Sequence, residues 1–376
     1  MENLAPELLD SIFTLACTDG GFTGCSLSSV SKHVRATSRG ARFYSISLTR
    51  ARLQMTQFLS CFLAERAVAS IYTPTIRHLH IVSIKNDKPR GGAPGDEVKP
   101  DRRIVDETAE YVENVAQLFR LVAQNLETLS LVHYHGWLRL VPLLAIECPA
   151  GGFPMLRELT IVGSDPFVAK GTALSPFYPR LARLHVGFPT HFPWDMSLVD
   201  WATRAPGITH LCLSEVNGAS PAIEDLADAP GVTFKHLRCL LLRPIGPQWG
   251  SACPGQLDHG VMVEALQLFC ETAGIPAQVA PNTKRPGECV TTAKQEWLDR
   301  LAGGDGCWVM SGAGRSALDS EALGTRRRTR PGWTDLVRFA REKREATLIA
   351  QMNNLIGQNF PHTVHPPQNG PLPSLF

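Results

Sequence analysis

Two histidine pairs, His78-x-His80 and His133-x-His135, carry the most chemically suggestive spacing in the chain. Residues i and i+2 share one face of a strand, so each pair would set two imidazoles side by side. A structural zinc site takes three or four ligands, and two rings fall short of that. The expectation is surface histidines, with His80, between Leu79 and Ile81, on the side of its strand away from the core. Ten cysteines stand at 17, 25, 61, 148, 212, 239, 253, 270, 289 and 307, and no C-x-x-C occurs. Cys61, Cys212, Cys239 and Cys270 lie inside apolar runs, where a free thiol behaves as a small hydrophobe. That usage fits a reduced compartment better than a secreted disulfide framework.

No G-x-S-x-G, H-E-x-x-H, G-x-x-x-x-G-K-[ST] or G-x-G-x-x-G occurs. Gly303-Gly304-Asp305-Gly306 and Gly312-Ala313-Gly314 lack the lysine of a phosphate cradle and are expected to be turns. The chain is therefore expected not to be an enzyme, with no catalytic residues, no cofactor and no metal. A catalytic constellation scattered in sequence would instead show itself as a deep pocket where polar side chains converge.

The elements that would position any site follow from one recurring pattern. Six copies of an L-x-x-L-x-L-like triple begin at Ile76, Leu126, Leu156, Leu181, Ile208 and Leu237. Their starts differ by 50, 30, 25, 27 and 29 residues. Proline stands two places before the first anchor in four of the six, at Pro74, Pro154, Pro179 and Pro206. With 28 prolines in 376 residues, composition alone does not explain that placement. The last two anchors alternate as on a strand facing one core, and the proline would stop a preceding helix and set an extended entry. Helical spacing fills the intervals: Met55, Phe58, Leu59 and Phe62; then Val105, Val112, Val115, Phe119 and Val122; then Trp194, Leu198 and Trp201. Such strand–helix units stack because one alone cannot bury its apolar face. The last four gaps match or slightly exceed the period of about 20–29 residues of leucine-rich repeats. The expected fold is α/β, a short N-terminal helical module followed by an irregular, leucine-rich-repeat-like curved stack with a long concave surface. The alternative is a non-repetitive α/β domain with several buried strands.

In the N-terminal module, Leu4, Leu8, Ile12 and Leu15 form one apolar stripe, and Leu9, Phe13 and Ala16 a second beside it. A helix needs one stripe to bury against its own domain; a second is covered either by later parts of the chain or by a partner. Thr18-Asp19-Gly20-Gly21 breaks the helix, and Leu27, Val30 and Val34 mark another helical stripe. Tyr44, Ile46 and Leu48 alternate as extended chain within Arg42–Leu48.

In order, Leu4-Ala5-Pro6-Glu7-Leu8-Leu9, Ile12-Phe13, Leu27-x-x-Val30-Ser31-Lys32-x-x-Arg35 and Phe43-Tyr44-x-Ile46-x-Leu48 resemble the F-box family in its basidiomycete fungal form. The resemblance covers about the first 48 residues. It implies binding to a Skp-type adaptor and, through it, to a cullin scaffold of a ubiquitin ligase. Leu4, Pro6, Leu8, Ile12, Phe13, Leu27 and Val30 would then lie at or just behind that interface. The implied function is substrate recognition, an unknown target protein being captured by the repeat-like region. A protein-binding scaffold not coupled to ubiquitination is the alternative.

The expected division is residues 1–48 for the adaptor-binding module, 49–250 for the repeat-like region, 251–359 for an α/β continuation or cap, and 360–376 for a disordered tail. Residues 83–103 are expected as a mobile insertion, since Lys85 to Arg103 is charged and rich in proline and glycine. Trp297 and Leu301 suggest a late helix, Cys307-Trp308-Val309-Met310 a short strand, and Trp333, Leu336, Val337 and Ala340 a further helix. A formal net charge of +2 favours neither nucleic acid nor an acidic membrane as partner, and Arg326–Arg330 is expected to be a solvated loop. Without a basic leader or a run of about 18 apolar residues, the chain is expected in the cytoplasm or nucleus, off the membrane.

Overall fold

The computed structural model describes residues 4–49, 51–68, 73–85, 102–135, 146–147, 151–163, 165–168, 176–188, 197–216, 234–244, 277–280 and 288–308, with isolated positions between 263 and 270. The recurring triples become strands. The strands are β1 (Ser45–Leu48), β2 (His78–Lys85), β3 (Thr128–His135), β4 (Ile146–Glu147), β5 (Glu158–Gly163), β6 (Phe167–Val168), β7 (Arg183–Gly187), β8 (His210–Val216), β9 (Cys239–Pro244) and β10 (Ala277–Val279). Eight of them form one sheet in the order β1-β2-β3-β5-β7-β8-β9-β10, every pair parallel, while β4 and β6 pair separately. Each strand of the eight thus lies beside the next strand of that sheet along the chain, only β4 and β6 being passed over, as a stack of successive units requires.

The register aligns the anchors across the sheet. Leu79, Leu129, Leu159, Leu184, Leu211 and Leu240 stand side by side across six strands, and so do Ile81, Leu131, Ile161, Val186, Leu213 and Leu242. All twelve are buried, as are the six leading anchors from Ile76 to Leu237. A backbone ladder runs just after the leading anchors. Arg77 N–H donates to the Tyr44 carbonyl, Glu127 to Arg77, Arg157 to Glu127, Ala182 to Arg157, Thr209 to Ala182 and Arg238 to Thr209, at 2.7–3.1 Å. This satisfies backbone groups that stacking would otherwise bury unpaired.

The ladder begins at Tyr44, and that position exposes a seventh copy. Phe43-x-x-Ile46-x-Leu48 has the same spacing, and all three residues belong to the main core. Ile46 pairs with Leu79 and Leu48 with Ile81. Phe43–Leu48, the end of the segment expected as the N-terminal module, thus packs in the main core and pairs with the sheet like the copies that follow it. Arg42 is not in a strand; Ala41–Phe43 is a single 3-10 turn.

Helices α1 (Pro6–Ala16), α2 (Phe22–Val30) and α3 (Lys32–Thr37) build the N-terminal module. The single stripe expected through Leu27, Val30 and Val34 is split between two helices. Ser31 is extended at φ −161°, and its Oγ accepts the Val34 N–H at 3.1 Å, so it starts α3 afresh. Leu9, Phe13, Cys17 and Ala41 form the module's own core, with Leu27, Val34 and Tyr44 against it. The Thr18–Gly21 turn docks on the sheet edge, where Gly20 N–H donates to Ser45 Oγ and Gly20 O accepts from Ser47 N–H, both at 3.0 Å. Gly20 sits at φ +78°, and a Cβ there would come within 2.9 Å of Ser47 Cβ.

α4 (Ala51–Val68), α5 (Arg102–Val122) and α6 (Leu198–Arg204) cover the leucine face through Met55, Leu59, Phe62, Val115, Phe119 and Trp201. Pro206 follows α6 as a helix stop does. Pro154 and Pro179 act differently: each holds the second place of a β-turn whose first carbonyl, Phe153 or Tyr178, accepts from the anchor N–H at 3.3 Å. The turns point a stacked aromatic row inward, with Phe153–Tyr178 centroids 5.7 Å apart and Tyr178–Trp201 5.5 Å.

The expected 83–103 insertion is shorter at both ends, because β2 continues to Lys85 and α5 begins at Arg102; residues 86–101 lie outside the described set. Also outside it are Trp194, Gly312–Gly314, Arg326–Arg330, the helix expected from Trp333 and the 360–376 tail. β10 extends the sheet past residue 250, as a continuation. Among the described residues no helix is long and apolar enough to cross a membrane.

Candidate functional site

Two surfaces bear on function: one face of the N-terminal module, and the sheet face opposite the leucines. α1 is amphipathic and carries the two stripes from Leu8 and Leu9 onward, with Leu4 before the helix and Ala16 exposed at its end. Leu9 and Phe13 turn into the module core at 4% exposure each, whereas Leu8 is 56% and Ile12 49% exposed. Leu4, Leu15 and, on α2, Phe22 and Val30 are exposed as well. Of the residues expected at an interface, Leu4, Leu8, Ile12 and Val30 are open to solvent. Phe13 is not: it lies behind them in the core, and Leu27 is half-buried against it. Pro6 opens α1, where its missing N–H costs nothing; its side chain lies outside the described set. Phe22 was missed, because the glycines before it marked a turn, and the helix starting there was not expected.

The module is locked to the stack by ion pairs. Glu65 on α4 meets Arg42 at 2.9 Å and Arg39 at 3.0 Å. Burial alone would raise the Glu65 carboxyl, but the hydrogen bonds and charge of Arg42, then Arg39, hold it below the ordinary carboxylate value. Gly24 on α2 lies against the Arg42 backbone, so close that an added Cβ would stand 2.4 Å from the Arg42 carbonyl oxygen.

The second surface is closed by the chain itself. α7 (Glu288–Leu301) and a 3-10 turn at Gly306–Trp308 lie across the polar face of β2, β3, β5, β7 and β8. Cys289 and Ala293 pack on Val132 and Val162. Trp297 stacks on His80 and donates from Nε1 to Thr128 Oγ1 at 3.1 Å. Glu158 on β5 accepts from Arg300 Nε and from Trp308 Nε1, each at 3.2 Å. A β-bulge at Ser214/Val216 places Glu215 at φ 59°, and its buried carboxylate accepts the Cys289 N–H at 3.0 Å, at the N-terminal turn of α7. The strand expected at Cys307–Met310 is thus a helical turn as far as Trp308.

His78 and His80 are consequently not surface histidines. His80 is fully buried beneath Trp297 with Nδ1 2.9 Å from Ser130 Oγ, and His78 Nδ1 lies 3.0 Å from Thr128 Oγ1. The expectation placed His80 correctly away from the leucine core, but the strand sequence carries no signal for a distant helix covering that face. Burial depresses both imidazoles to about 4; the Lys294 charge adds to this at His80, while at His78 Glu127 opposes it and Arg77 adds to it. His133 and His135 lie on β3, with side chains outside the described set.

No protein-family model matches this sequence, and no curated protein does either. Function must therefore be argued from the residues.

One polar cluster under the covering segment was not foreseen. His185 on β7, Cys212 on β8 and Cys307 in the turn after α7 are all buried, with their ligand-capable atoms within 4.8 Å of one another. Glu296 Oε2 is 3.9 Å from His185 Nδ1. Arg243 on β9 donates to Glu296 Oε1 at 2.7 Å and to the Cys307 carbonyl at 3.0 Å. Burial opposes every charge here, yet contact with Cys307, His185 and Arg243 holds the Cys212 thiol below its ordinary value. Cys307, buried beside it, is pushed up. Cys212, expected as a small hydrophobe, is buried but belongs to this polar cluster; Cys270 packs half-buried against the main core as expected, while Cys239 is half-buried and Cys61 exposed. Gly303–Gly306 is a turn, as expected.

Proposed function

We propose that this protein is an F-box-type substrate receptor, docking a Skp-type adaptor through α1 and α2 and holding a target protein on its leucine-rich-repeat-like body. One observation carries the reading. A three-helix module that already has its own core, Leu9, Phe13 and Cys17, leaves Leu4, Leu8, Ile12, Leu15, Phe22 and Val30 in solvent. Large apolar residues left exposed at helical spacing on a folded module, as Leu8, Ile12 and Leu15 are on α1, mark a protein interface, and the resemblance of residues 4–48 to the F-box names the kind. The chain does no chemistry of its own in this reading; it raises the effective concentration of a target beside the ubiquitin-transfer machinery. Because α7 covers the sheet face, its outward residues Thr291, Gln295 and Asp299 take part in target recognition in place of the bare strands. The test is capture of purified Skp-type adaptor by the full chain. Wild type should retain adaptor, and a Leu8→Asp/Ile12→Asp variant with unchanged thermal melting should retain none. Equal retention by both would end the proposal.

A scaffold without ubiquitin coupling is favoured by a different observation, that the chain passes without a break from the module into the first stacked unit, Phe43–Leu48. There the helices only cap the stack. A chain beginning at Gly40 should then fail to melt cooperatively; melting at the full-length temperature would exclude the cap role.

A further inference from the structure

We propose that His185, Cys212, Cys307 and Glu296 bind a zinc ion that fastens the C-terminal segment to the sheet. The four residues come from β7, β8, α7 and the turn after it, and meet only because that segment crosses the strands. The decisive detail is a pair of orphaned atoms. His185 Nδ1 and Glu296 Oε2 are buried without a hydrogen-bond partner, and they face each other at 3.9 Å, too far to bond directly. The two thiols lie on the imidazole, the ligand atoms of His185, Cys212 and Cys307 being within 4.8 Å of one another, and Glu296 approaches from the His185 side. Bonds of about 2.0–2.3 Å in a tetrahedral site place ligands roughly 3.3–3.8 Å apart, so His185, Cys212 and Cys307 need about 1 Å of closure by side-chain rotation, and Glu296, outside that 4.8 Å set, a larger swing toward the thiols.

The surroundings match what a metal site needs around it. The other imidazole nitrogen, His185 Nε2, is taken by Ser214 Oγ at 2.8 Å, which fixes Nδ1 as the free donor. Arg243 holds the second Glu296 oxygen and the Cys307 carbonyl. Two thiolates and a carboxylate bring three negative charges; one divalent ion and the Arg243 guanidinium balance them, as a buried cluster requires. Two sulfurs with one nitrogen and one oxygen in a tetrahedral arrangement select zinc over magnesium or calcium. A Cys212–Cys307 disulfide would consume both thiols but leave His185 Nδ1 and Glu296 Oε2 orphaned.

The experiment uses the full chain, stripped with chelator under reductant, then given one equivalent of zinc chloride or cobalt chloride and desalted. Wild type should keep one metal per chain by elemental analysis, and the cobalt form should show thiolate-to-cobalt charge-transfer absorption. Cys212→Ala, Cys307→Ser and His185→Gln should each weaken binding at least tenfold, and Glu296→Gln about tenfold. A Cys25→Ser/Cys61→Ser variant, lacking two exposed thiols, should keep the full stoichiometry. Should a ligand variant fail to fold, wild type alone still decides. Zinc should slow tryptic cleavage after Lys294 and Arg300 at least fivefold. Absence of the charge-transfer band in wild type, its loss with Cys25 and Cys61, or metal-free protein carrying a Cys212–Cys307 disulfide would each overturn the site.

Discussion

The indole of Trp297 stacks on the imidazole of His80, with ring centroids 5.5 Å apart and planes at 28°. The contact joins α7 to the second strand of the sheet and hides a face that the strand sequence alone leaves polar. It also decides what kind of surface the stack presents, because what lies outermost over those strands is a helix of the same chain.

Trp297→Ala should loosen that cover without dissolving the sheet. Truncating a buried tryptophan costs about 3–5 kcal/mol, and here the Thr128 hydroxyl also loses its indole donor. The expected result is a first unfolding step at low urea, with rapid tryptic cleavage after Lys294 and Arg300, while far-ultraviolet circular dichroism of the parallel sheet persists. Cleavage no faster than in wild type would mean that α7 is held without this residue.

The same burial predicts a pH dependence. His78 and His80 titrate at about 4 in the folded chain, against 6.5 for a free imidazole. Between these values the unfolded chain binds more protons, so each ring withdraws stability as pH falls from 6.5 toward 4, and the loss is complete below that window. The full difference is worth on the order of 3 kcal/mol per ring. His185 and Glu65 shift in other ways, so the informative quantity is the difference between wild type and His80→Gln. Urea midpoints at pH 7 and pH 5 should converge for the variant more than for wild type; an equal drop in both would rule out His80 as a source.

This fold was unevenly legible in the sequence. The anchors of the six triples were readable because strand burial imposes a spacing of two, and the twelve paired anchors between Leu79 and Leu242 all occupy the buried face that spacing assigns. Phe43-x-x-Ile46-x-Leu48 has the same spacing, but no proline precedes it and the F-box resemblance claimed it first. His185, Cys212 and Cys307 left no local signal at all. They lie on separate elements, and only the crossing of α7 over the polar strand face brings them together. An alternating pattern says which residues leave the core; it does not say whether solvent or another segment meets them.

Glu215 tests the anchoring of α7 at its other end. Its left-handed backbone, φ 59°, is tolerated because the bulge delivers a carboxylate to the first turn of the helix. Glu215→Ala should lose the capping bond at a cost of about 1–2 kcal/mol, and Glu215→Gly should lose the same bond while relieving the backbone. The glycine variant is therefore expected to be the more stable of the two in thermal melts. A wild-type melting temperature for Glu215→Ala would show that the bond carries no stability.

Leu8 and Phe13 lie on adjacent turns of α1 yet should respond in opposite ways. Phe13 is 4% exposed among Leu9, Cys17 and Ala41, so Phe13→Ala opens a cavity and should cost about 3–5 kcal/mol of module stability. Leu8 is 56% exposed, so Leu8→Asp removes little folded-state packing and should change stability by no more than about 0.5 kcal/mol. Adaptor binding should sort the other way, with Leu8→Asp abolishing capture by an intact fold and Phe13→Ala weakening it only as far as the module unfolds. Hydrogen exchange over residues 6–16 reads stability, and capture of Skp-type adaptor reads docking, on the same two variants. If Leu8→Asp unfolds the module, its side chain is core and the exposed stripe is not a docking face; if both variants bind adaptor as wild type does, α1 is not the surface that docks.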